Sequence, residues 1–296
     1  MLVSILTATL NRVDDLKRLY ASLKWQSRNN FEWIIVDDGS TDGTGEWIKK
    51  IKKQSPFSIS YVYQINSGKH IAINEGMRHV SGEVTVLVDS DDLALPTMID
   101  DICQQWSNRA LADPQLAVVV FERVDEHNQP LRKIPQPILE GNYNEIRYRQ
   151  GLIGDYAETF KTEILKSYQF PQFAGEKFLS EEALWLEIGK HYNARFVAKG
   201  LYRTVYPVNG LTNNSRKNMW LNPRGVYWTQ QKKINLQMPL KLKCKSLALL
   251  MIAGWRLRQN PYQAIQRSRL KLLAYLLTIP VLSIYFKYKM RFKDDR

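Results

Sequence analysis

The sequence predicts an α/β protein with a mostly parallel sheet flanked by helices, followed by a basic, Leu-rich helical extension. Through the first 120 residues, short apolar runs alternate with helical patterns, which is typical of a parallel sheet covered on both faces. Polar clusters follow three of the apolar runs, where open sheets bind ligands. The charge is also divided, because residues 1–215 carry 24 basic and 27 acidic side chains, whereas residues 216–296 carry 18 and two.

The order of elements follows from these patterns. Apolar and β-branched runs predict strands at Leu2–Thr9, Phe31–Val36, Ile59–Gln64, Val84–Val88 and Ala117–Phe121. Helices are predicted around Leu16–Leu23 and Trp47–Ile51, and at His70–Val80 and Pro96–Asn108. Residues 120–215 alternate less regularly and predict a polar hairpin or loop at Val124–Ile138, a helix at Ser180–Tyr192 capped by Ser180, and short strands at Arg195–Lys199 and Leu201–Tyr206.

Composition excludes several classes of protein. A hydrophobic fraction of 44% with 24% charged residues is ordinary for a globular protein and argues against disorder or a multi-span transporter. Cys103 and Cys244 have neither metal-ligand spacing nor a disulfide framework, which predicts a reducing compartment. The apolar N-terminus has no preceding basic residue and no cleavage site, so a first strand is expected instead of a signal peptide. The Asn/Ser-rich segment 209–218 is expected to end the catalytic part.

The C-terminal part, residues 216–296, is expected to meet an anionic membrane. Between Arg216 and Lys293 the sequence has no Asp or Glu, and Leu272–Phe286 is uncharged. Because Pro280 interrupts this run, a helix pair lying in the membrane plane or re-entering it is predicted in preference to a crossing helix. Nucleic acid is disfavoured as the partner because Leu-rich runs track phosphates poorly. The alternative is that Ser246–Arg258 and the run after it are core helices of a small domain with a solvated basic face.

The carboxylates that follow the predicted strands are candidate ligands. Asp89, Asp91 and Asp92 within four residues suit Mg²⁺ or Mn²⁺, although Asp also fills turns and helix caps. Asp38 can accept a hydrogen bond from a pyrimidine imide or can stabilise a turn. A carboxylate such as Glu181 can take a proton from an acceptor hydroxyl or can simply complement a helix dipole. Neither GxGxxG nor a P-loop is present.

These segments together resemble a known family. VSILTATLNR, VDDGSTDGTG and NSGKHIAINEGMRHVSGEVTVLVDSDD resemble family-two glycosyltransferases of the GT-A fold. GDYAETFKTEIL, GEKFLSEEALWLEIGK and YPVNGLT look like acceptor-side segments of bacterial enzymes that build capsular, exopolysaccharide or O-antigen units. The resemblance implies a catalytic domain at 1–215, with a nucleotide-sugar half at about 1–120 and an acceptor half at about 121–215. It also implies transfer of a sugar from a nucleotide-sugar to a hydroxyl, with inversion.

The resemblance also implies roles for single residues. Asp91 is the expected metal ligand in a DXD motif with Asp89, and Asp38 is the carboxylate that reads uracil. Glu181 matches the catalytic base, with Glu182 beside it as the second candidate. The remaining nucleotide-binding candidates are Thr7, Ala8, Thr9, Leu10, Arg12, Gly68, Lys69 and Ser90. The chain departs from the common pattern at four positions, which are Leu10, Ile73, Glu182 and Asn209.

The partners follow from the same resemblance and from the tail. A divalent cation, Mn²⁺ or Mg²⁺, is the expected cofactor, and the donor is expected to be a UDP-sugar. The acceptor is expected to be lipid-linked or a glycan, and residues 216–296 are expected to hold the enzyme on the cytoplasmic face of the bacterial inner membrane as a peripheral or monotopic protein. An oligomer is compatible with the apolar tail. The alternatives are a nucleotidyltransferase, which would be expected to carry a Gly-rich phosphate loop, and a non-catalytic membrane or nucleic-acid binding module on a degenerate fold.

Overall fold

The computed structural model describes residues 1–204, 214–265 and 268–292. The end of the predicted strand Leu201–Tyr206 and the first half of the predicted boundary at 209–218 lie outside these residues. The strands are β1 (Val3–Thr9), β2 (Phe31–Asp37), β3 (Ser58–Tyr63), β4 (Val84–Leu87), β5 (Leu93–Ala94), β6 (Leu116–Val124), β7 (Ile138–Asn142), β8 (Ala157–Lys161) and β9 (Asn193–Arg203). The α-helices are α1 (Val13–Lys24), α2 (Thr44–Lys52), α3 (Lys69–Gly76), α4 (Met98–Gln105), α5 (Asn108–Ala112), α6 (Thr162–Lys166), α7 (Glu182–Ile188), α8 (Ser215–Leu221), α9 (Pro223–Lys233), α10 (Leu240–Arg256) and α11 (Ser268–Arg291).

The nine strands found in the described residues form one mixed sheet in the order β3-β2-β1-β4-β8-β6-β9-β5, with β7 paired to β9. β1 to β4 run parallel, which confirms the predicted parallel half. β8 enters antiparallel between β4 and β6, and β6 runs parallel to β9. Because β1, β2 and β4 are parallel neighbours, the loops that follow their carboxyl ends meet at one edge of the sheet.

Apolar side chains cover both faces of the sheet. One core contains Val3 and Ile5 of β1 with the inner faces of α1, α2 and α4. The other contains Leu6 of β1 with α3, α6 and α7. This burial on both faces explains why the parallel strands read as nearly continuous apolar runs in the sequence.

Several elements differ from their predicted bounds. The predicted helix Pro96–Asn108 is α4 followed by the separate short helix α5, and the two predicted strands after Arg195 form the single strand β9. β9 absorbs the intervening residues through shifts of register against β6. The helix predicted from Ser180 begins at Glu182, and the Ser180 hydroxyl accepts a hydrogen bond from the Glu182 N–H at 3.3 Å. β7 and β8 were not predicted.

The described residues from 214 onward form a helical bundle with its own core. Trp220 of α8, Ile234 at the end of α9 and Leu250 of α10 pack together with Ala274 and Val281 of α11. The helix break predicted at Pro280 is wrong, because α11 is one continuous helix that contains this proline. Proline removes only one backbone hydrogen bond, and the packing of α11 on the bundle on both sides of Pro280 offsets that loss. Residues 269–291 are long and apolar enough to cross a membrane, with 11% of the most apolar window buried.

Candidate active site

The carboxyl ends of β1 and β2 carry the first predicted site residues. Thr7 is fully buried, and its hydroxyl accepts a hydrogen bond from the Trp33 indole at 3.0 Å, so it lies beneath the site instead of lining it. Thr9 is also buried at the end of β1, beside Asp37 in the register of the sheet. Ala8 is partly buried, whereas Leu10 is 39% exposed where the strand ends. Leu10 is therefore the apolar side chain of this strand end that a ligand can reach.

Asp38 organises the loop that crosses above the sheet. Its carboxylate accepts hydrogen bonds from the backbone N–H groups of Ser67 at 2.7 Å and Gly68 at 2.9 Å, and from the Gln64 amide at 2.7 Å. A carboxylate offers about four acceptor positions, so these three donors leave one for a ligand N–H. Asp37 beside it serves the turn, because it accepts from the Ser40 N–H and the Tyr61 hydroxyl.

Gly68 is required by two features of its position. Its φ is +101°, a conformation that side chains rarely adopt. A Cβ atom at this position would also lie 2.2 Å from the carbonyl oxygen of Lys177. The loop after β3 therefore packs directly on the backbone of the loop that leads into α7.

Lys69 joins the two halves of the predicted site. Its ammonium group lies 2.5 Å from Asp89 Oδ1 and 2.6 Å from Glu181 Oε1. Burial works to lower the pKa of Lys69, but these two carboxylates raise it above the ordinary value, so it stays charged. Lys69 thus contacts both Asp89, the first aspartate of the DXD motif, and Glu181, the predicted base.

Arg12 holds the second aspartate of the motif. Arg12 Nη1 lies 3.2 Å from Asp91 Oδ2 and 3.0 Å from Asp15 Oδ2 in the first turn of α1. Between the two motif aspartates, Ser90 is buried in the turn that follows β4. Arg12, Lys69 and the motif therefore line one polar patch at the sheet edge.

Arg123 belongs to this patch and was missed by the sequence analysis. Its Nη1 atom lies 4.0 Å from Asp89 Oδ2 and 3.8 Å from Asp92 Oδ2, and its Nε donates to the Tyr156 carbonyl at 3.0 Å. The signal was a charged residue inside the apolar run LAVVVFERV, which forms β6. A charge in a buried strand indicates a buried partner.

The three aspartates differ in their electrostatics. Burial works to raise the pKa of Asp89, but Lys69 and Arg123 hold it below the ordinary value. Burial and the neighbouring Asp89 carboxylate raise the pKa of Asp91. Burial raises the pKa of Asp92 to about 8, although the neighbouring Arg123 works to lower it.

Asp89 and Asp91 fit a divalent cation. Both supply hard oxygen atoms, and a cation would relieve the repulsion from Asp89 that, after burial, raises the pKa of Asp91. In the part of the chain that the structure describes, no group of three or more His, Cys, Asp or Glu side chains could hold a metal. Diphosphate oxygens and water would therefore have to complete the coordination, as Mg²⁺ commonly requires.

Glu182 points away from the patch formed by Lys69 and the motif. Its carboxylate accepts from the Tyr148 hydroxyl at 2.8 Å and lies 2.5 Å from the ammonium group of Lys233 in α9. Burial works to raise the pKa of Glu182, but Lys233, Tyr148 and the nearby Arg147 hold it below the ordinary value. Adjacent glutamates thus have different surroundings, and Glu181 alone of the two contacts Lys69.

Comparisons with known proteins agree with this geometry. The sequence profile of Glycosyl transferase family 2 matches residues 4–169. The chain is 33% identical over 104 residues to the glycosyltransferase alr2836 of Nostoc. The matched segment covers 35% of this chain and 32% of alr2836. It is 26% identical over 220 residues to TuaG of Bacillus subtilis, a glycosyltransferase assigned to teichuronic acid biosynthesis. This match covers 74% of the chain and 83% of TuaG. The chain thus spans only about a third of alr2836 but most of TuaG.

Solved structures show the same fold. TarS of Staphylococcus aureus, residues 1–349, superposes with a TM-score of 0.66 at 17% identity, covering all of this chain and 93% of the other. The mannosyltransferase PcManGT of Pyrobaculum calidifontis, solved with GDP-Man and Mn²⁺, gives 0.57 at 19% identity, covering 98% and 82%. Because the family profile matches more than half of the chain and these neighbours share its sheet and helices, the chain belongs to glycosyltransferase family 2 and has the GT-A fold.

Proposed function

We propose that this protein transfers a sugar from a nucleoside diphosphate sugar to a hydroxyl of a lipid-linked or glycan acceptor, with inversion at the anomeric carbon. The observation that carries the proposal is the position of Lys69 between Asp89 and Glu181, at 2.5 and 2.6 Å. Lys69 therefore connects Asp89, which we expect beside the diphosphate of the donor, to Glu181, which can act as a base. Support for the donor class comes from TarS, which was solved with UDP-GlcNAc, and from PcManGT, which was solved with GDP-Man.

The proposed reaction is a single displacement. Glu181 accepts the proton of the acceptor hydroxyl while that oxygen forms a bond to the anomeric carbon. The bond between the anomeric carbon and the phosphate oxygen breaks, and its electron pair stays on the nucleoside diphosphate. Asp89 and Asp91 would hold Mn²⁺ or Mg²⁺, which supplies positive charge to the leaving diphosphate.

Cationic side chains of the chain itself assist the same step. Lys69 and Arg12 lie beside the motif aspartates and can contact diphosphate oxygens when the donor binds. Contact with the diphosphate would draw Lys69 from Glu181 and leave that carboxylate free to accept a proton. Asp38 retains one acceptor position for a base N–H.

The acceptor is proposed to be held at an anionic membrane surface. α11 buries Ala274 and Val281 in the bundle and exposes a row of large apolar side chains on the other side. That row is Leu272, Tyr275, Leu276, Ile279, Phe286 and Met290, each more than half exposed. Since residues 216–293 contain no acidic residue, an in-plane α11 would combine apolar insertion with attraction to anionic headgroups. We therefore propose that the enzyme lies on the cytoplasmic face of the bacterial inner membrane as a peripheral or monotopic protein.

Calorimetric titration with UDP, with Mn²⁺ and again with EDTA, tests the donor site. We expect metal-dependent binding that is lost in Asp91→Asn, because the variant removes a charged oxygen ligand. Glu181→Gln should retain that binding but lose transfer by at least about a hundredfold, as expected for loss of a general base. If UDP fails to bind, GDP, CDP and dTDP are titrated next. Unchanged turnover of Glu181→Gln would rule out its role as the base.

A further inference from the structure

Asn222, a buried residue between α8 and α9, contacts the loop that carries Glu181. The Asn222 carboxamide oxygen accepts hydrogen bonds from the backbone N–H groups of Lys177 at 2.9 Å and Phe178 at 3.1 Å. Its amide group donates to the Asn218 carbonyl at 2.7 Å, and the residue is 8% exposed. Asn222 therefore links the junction of α8 and α9 to the chain just before α7.

The same loop returns hydrogen bonds to α9. Glu176 accepts from the backbone N–H groups of Arg224 at 2.7 Å and Gly225 at 2.8 Å, and the Arg224 guanidinium donates to the Ala174 carbonyl at 2.7 Å. Free N–H groups at a helix N-terminus need such acceptors. The two segments thus satisfy each other's backbone groups in both directions.

The loop of residues 171–181 contacts the predicted nucleotide-binding residue Gly68 and carries the proposed base, Glu181. Residues 171–181 precede α7 without regular secondary structure, so their backbone depends on outside partners. The Lys177 carbonyl occupies the space beside Gly68, and Glu181 follows four residues later with its carboxylate on Lys69. A displacement of Lys177 would therefore be transmitted to the base.

We propose that Asn222 is a positioning residue, which fixes the loop 176–181 so that the Glu181 carboxylate is aimed at the acceptor hydroxyl. The inference rests on the proposed function. It gives one residue of the C-terminal bundle a role in catalysis, in addition to the membrane contact proposed for α11. Because catalysis depends on orientation at the ångström scale, loosening this loop slows the chemical step more than it weakens donor binding.

The test compares Asn222→Ala with Asn222→Asp. The alanine variant removes the acceptor for both N–H groups, whereas aspartate keeps it. We expect kcat to fall by about tenfold or more in Asn222→Ala, with the Kd for UDP within about twofold, and aspartate to restore most of kcat. Donor affinity should persist because the hydrogen bonds of Asp38 involve no atom of α9.

Lys232→Met is the matched control. Lys232 forms the neighbouring contact between α9 and α7, at 2.7 Å from Glu187, but does not touch the loop 176–181. This variant should keep wild-type kcat. A loss in Lys232→Met equal to that in Asn222→Ala, or wild-type kcat in Asn222→Ala, would overturn the proposal, because either result separates the loop contact from catalysis.

Amide hydrogen exchange tests the contact between Asn222 and the loop 176–181 without measuring sugar transfer. In Asn222→Ala, the amides of residues 176–181 should exchange at least about tenfold faster, while β1 and β2 stay protected. If the wild-type protein transfers no sugar from any donor but the loop responds in this way, the proposed function fails and the structural link stands. If exchange in the loop does not change, the positioning role of Asn222 is refuted whether or not the enzyme is active.

Discussion

At the scale of single residues, the site is built on close backbone approach. Gly68 combines a φ of +101° with a distance of 2.2 Å between the position of an added Cβ and the Lys177 carbonyl oxygen. The neighbouring N–H groups of Ser67 and Gly68 both donate to Asp38. Gly68 therefore sets the distance between Asp38, the carboxylate predicted to bind the nucleotide's base, and the loop that carries Glu181.

Gly68→Ala should displace the backbone of Ser67 and Gly68 from Asp38 and weaken UDP binding by about tenfold or more, since the added methyl group meets the Lys177 backbone and a φ of +101° is unfavourable for alanine. Gly43→Ala is the control, because Gly43 also has a positive φ, +84°, but nothing lies within 4 Å of its added Cβ. Calorimetry with UDP and thermal unfolding of both variants measure the difference. Equal loss of UDP affinity in the two variants would show that backbone strain, and not the contact with Lys177, is responsible.

Residues that follow the ends of predicted strands were the predictable part of the site. Asp38 and the DXD aspartates follow strand ends, and parallel strands bring such loops together, whereas Gly68 was expected only from the family resemblance. Arg123 and Asn222 were not predictable in this way, because Arg123 lies inside β6 and Asn222 lies between two helices of the C-terminal bundle. Their roles depend on strand order and helix docking, which local patterns do not specify.

At the scale of elements, the same limit applies to the sheet and to the tail. The pattern predicted β1 to β4, but it did not show that β8 runs antiparallel between β4 and β6. It also placed a break at Pro280, where α11 continues. Local propensity at one proline was outweighed by apolar packing over more than five helical turns, an effect of tertiary structure.

α11 has one apolar face packed in the bundle and a second apolar face that is exposed. Substitutions on the exposed face can therefore test the proposed membrane contact. Leu276 and Ile279 are 71% and 79% exposed, so replacing both with Ser should change the free energy of unfolding by no more than about 0.5 kcal/mol each. Binding to anionic vesicles should fall by at least about tenfold, because each buried aliphatic side chain contributes about 1.5–3 kcal/mol. Trp25→Ser, at a 79% exposed position next to α1, is the control and should bind vesicles like the wild type. Unchanged vesicle binding in the α11 variant would exclude this face as the membrane contact.

At the scale of the whole molecule, the C-terminal bundle faces in two directions. Through α9 it contacts the catalytic part, where Lys233 pairs with Glu182, Lys232 pairs with Glu187 and Trp228 packs on the core around α7. Through α11 it exposes an apolar row to the surroundings. The bundle therefore connects the loop of Glu181 to the surface where a lipid-linked acceptor would arrive.

This arrangement predicts that a membrane promotes catalysis by delivering the acceptor. Anionic vesicles should raise turnover with a lipid-linked acceptor, while turnover with a water-soluble acceptor analogue stays constant, since the active site itself needs no lipid. The stimulation should decrease as salt is raised from about 0.05 to 0.5 M, because screening shortens the reach of the basic bundle to below about 5 Å. Neutral vesicles that carry the same acceptor are the control for delivery without charge. Equal stimulation of the soluble analogue would show that lipid activates the enzyme directly, through the contact of α9 with the Glu181 loop, and would contradict a role confined to delivery.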